Sequence, residues 1–400
     1  MVLVPGITGT ELRRRDAGEV EWGRGWNLIS PHDGGYTLAR PLSDPLNGPA
    51  SDVEAGSVLE AVRLGPIRKE VYGPIFDLLE AHGYARGDLS SPNAENDFYA
   101  FGYDWRGDNV YAAQLLRERL EALAAERGGN LAVDLICQSN GAHICRYLLK
   151  YGGVSLSEAE SGRGAALGFR IRKLILVGSS NGGSLRVLRE IHRGRRYLPL
   201  IGRSLKPEVL FSFPSLFQDL VAHHEAPFID PRGESLALDL FEPESWLEQG
   251  WSVFREEPRR RMARRPDLFG DEPARLAYLR AALDRARRLH ALLLQDVPDF
   301  PETRYYSVQN TMAPTPHRAV VGAGEDRLLF TGDSRLEELL LEEDAVSRPG
   351  DGHATVDSQN ALSPQEREAM ALPKASVPGG HFELILEPAT LQSLLEFLLD

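Results

Sequence analysis

The chain has 400 residues, 42% hydrophobic and 26% charged, enough for one large core or two ordinary ones and too much for a small disulfide-stapled scaffold. Its formal net charge of −13 excludes a nucleic-acid footprint over the whole surface, which needs a basic face. No stretch approaches the ~18 uninterrupted apolar residues that a bilayer-spanning helix requires.

Met1 opens directly onto Val2-Leu3-Val4-Pro5-Gly6, without the basic and apolar regions of a secretion signal. Cys137 and Cys145, the only cysteines, offer no disulfide framework. The expectation is a cytoplasmic protein with free thiols. In chain order, the apolar runs 2–4, 98–101, 131–136, 173–177, 305–308 and 375–377 are short, end in Gly, Pro, Ser or Asn, and predict buried strands. Helical spacing at 71–82, 110–127 and 141–150 falls between them, and Leu391, Leu394, Leu395 and Leu398 mark a final amphipathic helix at 388–399. Strands alternating with helices predict an α/β fold, a mostly parallel sheet covered on both faces.

The Pro- and Gly-rich stretch 31–56 reads as a long ordered loop, part of a lid over 31–66. The alternation breaks from 184 to 298, where a mainly helical cap is expected between core segments 1–183 and 299–400. Within that insertion, residues 253–288 hold eleven Arg against six Asp and Glu. Such a segment is either a salt-bridged helical face or a cationic surface for peripheral contact with anionic lipid. Residues 331–352, acidic and then Pro/Gly-rich, read as surface loop.

The chemistry concentrates in Leu131-Ala-Val-Asp-Leu-Ile-Cys-Gln-Ser139-Asn-Gly-Ala-His143. An apolar strand runs straight into Ser139 and then into a helix, the nucleophile-elbow arrangement, with Cys137 where the first Gly of Gly-x-Ser-x-Gly usually stands. A serine needs a base, and the base an orienting carboxylate. His381, on the Gly-lined loop of Val377-Pro-Gly-Gly-His381 before the last helix, is the expected base. Asp351 in Pro349-Gly-Asp-Gly-His353 is the leading acid and Asp326 in Gly322-Ala-Gly-Glu-Asp326 its competitor. Two backbone N–H groups, of Asn140 after the nucleophile and of Ile7 in Pro5-Gly-Ile-Thr-Gly-Thr10, are the candidates for an oxyanion hole. None of this chemistry calls for a metal or cofactor.

Four separated segments together resemble the lecithin:cholesterol acyltransferase family, which includes lysosomal phospholipase and the phospholipid:diacylglycerol acyltransferases: Val4-Pro-Gly-Ile-Thr-Gly-Thr-Glu-Leu12, Tyr103-Asp-Trp-Arg106, the Ser139 elbow, and Gly350-Asp-Gly352 with Thr355-Val356. A fifth, Gly178-Ser-Ser-Asn-Gly-Gly-Ser184, is similar to a post-strand Gly turn of these lipases. The resemblance implies an α/β-hydrolase fold, with Ser139 as nucleophile, Asp351 as acid and His381 as base. It also implies acyl-ester chemistry on lipids through an acyl-enzyme, ending in hydrolysis or in transfer to an alcohol. The family's lid disulfide has no cysteines here, and residues 2–4 would be the fold's third strand, so either two strands are absent or the start is internal to a longer chain. Thr8 and Trp105, with Phe213, Phe217 and Trp246 of the cap, are candidates for the substrate-facing wall. A soluble esterase or thioesterase on small or carrier-bound acyl groups is the alternative, and a lipid-binding protein without turnover a third reading.

Overall fold

Each of the six apolar runs becomes a strand of one sheet. The computed structural model describes residues 1–25, 32–196, 204–222, 226–324, 327–371 and 374–400. Its central strands are β1 (Val2–Val4), β2 (Tyr99–Ala100), β3 (Ala132–Gln138), β4 (Arg170–Val177), β5 (Arg304–Gln309) and β6 (Ala375–Ser376). They lie in the order β6-β5-β4-β3-β1-β2, and every pairing is parallel. With all strands running one way, the loops after Val4, Gln138 and Ser376 open on the same edge of the sheet, where open α/β sheets bind ligands.

The longer helices are α1 (Gly73–Ala81), α2 (Asn109–Glu126), α3 (Gly141–Tyr151), α4 (Leu185–Arg193), α5 (Glu272–Leu294) and α6 (Pro388–Leu399). Alternation along the strands sorts the core into two faces. Leu3, Ile136 and Ile175 pack with Ile75 and Phe76 of α1 and Leu394 and Phe397 of α6. Val4, Leu135, Leu174 and Leu176 pack with Leu116 and Leu120 of α2 and Ile144 and Leu148 of α3. Full burial of each such side chain is worth roughly 1.5–3 kcal/mol. Caps fix the helix ends: Asp108 accepts the Tyr111 N–H ahead of α2, and α3 stops at Gly152, whose φ of 66° suits glycine.

Several expectations are corrected. The stretch expected as a lid carries a strand, Val53–Val58, in an antiparallel sheet with Thr10–Arg14 and Val20–Trp22, and then one arm of a hairpin, Ala61–Leu64 with Ile67–Glu70. These strands are polar on one side, so they lack the apolar-run signal of the central sheet. Residues 331–352 are also structured, with helical turns at Ser334–Glu337 and Glu343–Val346 and a strand at Ser347–Gly350 paired antiparallel to Ala313–Pro316.

Between residues 184 and 298 lie α4, α5 and a set of shorter helices, together with a two-residue strand at Phe228–Ile229. Five of the eleven arginines of residues 253–288 pair with carboxylates from outside the segment. Arg261 pairs with Glu208, Arg280 with Glu244, Arg285 with Asp108, Arg287 with Asp239 and Glu242, and Arg288 with Glu160. The expected cationic face for anionic lipid is thus offset locally, and the segment is a salt-bridged one. Among the described residues, no helix is long and apolar enough to cross a membrane.

Candidate active site

Ser139 sits where β3 gives way to α3, at φ 52°, a left-handed conformation that non-glycine residues rarely adopt. The turn is cramped: a Cβ on Gly141 would lie 2.5 Å from the Val4 carbonyl oxygen, and one on Gly6 would lie 2.9 Å from Cβ of Ser139. Small residues at both places let the loop after β1 and the start of α3 close around the serine. Cys137, at the position of the usual elbow glycine, is bonded to Cys145 of α3 with Cα atoms 6.7 Å apart. The reversal from strand to helix brings both side chains into the same buried layer, within ordinary disulfide reach. The expectation of free thiols is corrected, and the argument it gave for a cytoplasmic setting falls with it.

Ser139 Oγ lies 2.8 Å from His381 Nε2, and His381 Nδ1 lies 2.8 Å from Asp351 Oδ2. The other carboxylate oxygen, Oδ1, accepts the backbone N–H groups of His353 and Ala354 at 2.9 and 2.7 Å. Burial works against ionisation of Asp351, but the neighbouring His381, His353 and the Ala354 N–H hold its carboxyl below the ordinary aspartate value. The His381 N–H donates to the Asp351 carbonyl at 3.0 Å, which ties the two loops together directly. Asp326 lies outside the described residues.

The loop after β1 is fastened to the elbow by buried polar groups. Gln138 Oε1 accepts from the Gly6 N–H at 3.0 Å and from the Tyr72 hydroxyl at 2.7 Å. Tyr103 donates its hydroxyl to the Pro5 carbonyl at 2.9 Å and accepts from Asn140 Nδ2 at 3.2 Å, while the amides of Asn140 and Asn109 exchange two hydrogen bonds. The backbone N–H groups of Ile7 and Asn140 donate to no other group among the described residues. Burial leaves Tyr103 a neutral donor, with its hydroxyl pushed well above the ordinary tyrosine value. Tyr103-Asp-Trp-Arg106 is therefore a brace: Arg106 forks onto Asp104 and donates to the Leu38 carbonyl, and Trp105 Nε1 donates to the Thr10 carbonyl.

A cavity of about 670 Å³ opens beside the elbow, within the range of small-molecule sites. Its wall includes Ile7, Thr8 and Gln138, then Phe382 next to His381, with Trp22, Leu59, Val62 and Leu386 as apolar surface. Thr8, at φ 73°, is among the residues that line it. Trp105, Phe213, Phe217 and Trp246 are not among the residues that line it, which corrects their assignment. Trp105 is wedged edge-on between Trp22 and Phe213, and Phe217 packs on Phe211, Trp246 and Tyr278 as hydrophobic core. The segment 186–196, with Arg186, Arg189, Arg193, Arg195 and Arg196 around a lone Glu190, also contributes to the lining. That density of arginine was the available signal for these residues. His353 and Asp219, joined at 3.3 Å behind His381, carried no comparable signal because Asp219 is remote in sequence. No group of three or more His, Cys, Asp or Glu side chains that could hold a metal ion occurs among the described residues.

No family model matches the chain, and no curated protein does. Among solved structures, a chain in "The crystal structure of Tle4-Tli4 complex" is similar at a TM-score of 0.63 and 13% identity, over 98% of this chain and 96% of that one. At that identity the likeness bears on the fold alone, and with the six parallel strands and their flanking helices it makes this an α/β-hydrolase fold.

Proposed function

We propose that the chain is a serine-dependent acyl-ester hydrolase of the lipase or phospholipase kind. The observation that carries the reading is the pair of 2.8 Å contacts linking Ser139, His381 and Asp351 at a left-handed elbow. In the proposed reaction Ser139 Oγ attacks the ester carbonyl carbon as its proton passes to His381 Nε2, and Asp351 Oδ2 accepts Nδ1–H and stabilises the imidazolium. The Ile7 and Asn140 N–H groups face the developing oxyanion. The C–O bond of the leaving alcohol breaks as Nε2–H protonates it, leaving an acyl group on Ser139. Water, deprotonated by His381, then releases the acid, and an alcohol in water's place would receive the acyl group instead.

The apolar side of the cavity supports long acyl chains over the small or carrier-bound groups of a soluble esterase. The resemblance of the Val4–Leu12 and Tyr103–Arg106 segments to the lecithin:cholesterol acyltransferase family points the same way. The test is hydrolysis of p-nitrophenyl esters across acyl lengths by wild type and Ser139→Ala, alongside labelling by a fluorophosphonate. Activity that rises with chain length and disappears, with labelling, in the variant is expected. Activity surviving in Ser139→Ala would sink the mechanism, and activity confined to short chains would favour the soluble esterase.

A further inference from the structure

Ser139 belongs to two elements at once. Its N–H donates to the Val177 carbonyl at the end of β4 at 3.1 Å, which ties it to the sheet, and its own carbonyl accepts the Ala142 N–H at 3.0 Å, which ties it to the first turn of α3. A change in the separation of α3 from the sheet is therefore felt at the nucleophile. His381 is held by other means, through its N–H to the Asp351 carbonyl and its Nδ1 to Asp351 Oδ2. Such a change alters the distance from Ser139 to His381 instead of carrying both along.

The seat of α3 on the sheet has little slack. A Cβ on Gly141 would fall 2.5 Å from the Val4 carbonyl oxygen and 2.9 Å from that of Pro5. Val4 is also the residue that pairs with Cys137 across β1 and β3. Cys137 and Cys145 are fully buried in one packed layer, and their bond closes a covalent ring whose main chain contains Ser139. Bonded sulfurs stand about 2 Å apart in any disulfide, whereas two thiols meet at van der Waals contact, about 3.5–4 Å. A layer without voids takes up that difference by moving α3 away from β3. The left-handed conformation of Ser139 at φ 52° persists only where its surroundings enforce it, so the elbow is where such a movement tells.

We infer that the Cys137–Cys145 disulfide is a positioning device for Ser139: the chain folded with the bond formed is a competent hydrolase, and the chain folded with two free thiols is a native-like but slow one. The inference rests on the reading of Ser139 as an acyl-ester nucleophile and adds the condition under which that nucleophile is in place. Forming the bond oxidises two thiols to one disulfide, and the two electrons and two protons pass to a disulfide oxidant such as oxidised glutathione, which leaves as two thiols. Because both sulfurs are fully buried, the exchange belongs to folding, and the redox state of the surroundings in which the chain folds sets its activity.

The full chain is refolded from denaturant with a glutathione redox pair or with excess dithiothreitol, and alkylation in denaturant identifies the two forms. Near-ultraviolet circular dichroism should show both folded. On a soluble p-nitrophenyl ester the dithiol form should have a kcat about 10²-fold lower with KM little changed, and a fluorophosphonate should label it more slowly to the same degree. Cys145→Ala, which makes room for the remaining thiol, should turn over close to the disulfide form with or without reductant. Equal kcat in the two wild-type forms overturns the inference, and so does Cys145→Ala as slow as the dithiol form. A dithiol form that does not fold overturns it in favour of a bond needed for stability alone. Crystal structures of the two forms decide the placement apart from turnover: Ser139 Oγ should lie 2.8 Å from His381 Nε2 with the bond formed and beyond hydrogen-bond reach without it. If neither form hydrolyses any ester or takes up the fluorophosphonate, the ester reading of Ser139 fails, while an unchanged distance would still overturn the positioning role and a lengthened one uphold it.

Discussion

The imidazole of His353 lies nearly flat against that of His381, with ring centroids 4.3 Å apart and planes inclined by 28°. Burial, and then the neighbouring His381, lower the proton affinity of His353, while Asp219 and Asp351 act the other way. Its Nε2 faces Asp219 at 3.3 Å, and Asp219 also accepts from Ser180 Oγ. Burial works against ionisation of Asp219, but His353 and its other partners hold the carboxyl below the ordinary value. His353 is a positioning residue on this geometry. His353→Ala should lower kcat about tenfold with KM little changed, and His353→Gln, which can still reach Asp219, should recover part of the loss. Steady-state kinetics on a soluble ester decides it, and a change confined to KM would count against the role.

Asp351→Asn should cost about 10³–10⁴-fold in kcat with the fold intact, because an amide cannot stabilise the imidazolium that His381 becomes. Near-ultraviolet circular dichroism alongside kinetics separates loss of chemistry from loss of structure. A loss below about tenfold would move the acid elsewhere.

Gly6→Ala tests the close approach of the loop after β1. Its Cβ would fall 2.5 Å from Gln138 Oε1 and 2.9 Å from Ser139 Cβ, so the loop and the serine must separate. A shift of this kind should reduce kcat by about 10²-fold while thermal stability changes little. Equal turnover by the variant would show that the loop adjusts freely.

Arg146 and Glu366 form a fully buried pair, with Nε and Nη2 each 2.7 Å from a carboxylate oxygen. Burial opposes ionisation of Glu366, yet Arg146 and then Lys150 hold its carboxyl at about 2, against 4.5 for an ordinary glutamate. Its contribution to stability is therefore complete above about pH 4.5 and is lost as pH falls through about 2. Glu366→Ala should destabilise the fold by about 3–5 kcal/mol at neutral pH, since it strands a buried guanidinium. The double change Arg146→Met, Glu366→Leu should recover most of that. Urea denaturation at several pH values reads both effects, and a flat pH profile in wild type would contradict the assignment.

Alkylation in denaturant without reductant should leave Cys137 and Cys145 unmodified, and alkylation after reduction should add two groups per chain. Mass spectrometry distinguishes the cases. Uptake of two groups without reductant would show free thiols.

The central sheet was legible because each of its strands is a short apolar run ended by a breaker, as in Leu131–Ile136 before Ser139. The strands at Thr10–Arg14 and Ile67–Glu70 were not, since sequences such as TELRR and IRKE are held by cross-strand partners that no local pattern reveals. The approach of Ser139 and His381 could be anticipated from loop context, each following a strand of the central sheet, whereas Asp351 follows Ser347–Gly350 of a separate two-stranded sheet. Phe217 and Trp246 could not be placed, because aromatic spacing marks a packed face without saying what it packs against. The paired state of Cys137 escaped notice because a spacing of eight residues across a strand-to-helix turn becomes close contact only after the turn is drawn.

The two margins of the sheet are unusually short. β2 and β6 each present only two residues, so few unpaired backbone groups face outward on either side. A neighbouring molecule in extended conformation finds almost no template there, and crowded copies have little opportunity to zip together through the margins of the central sheet.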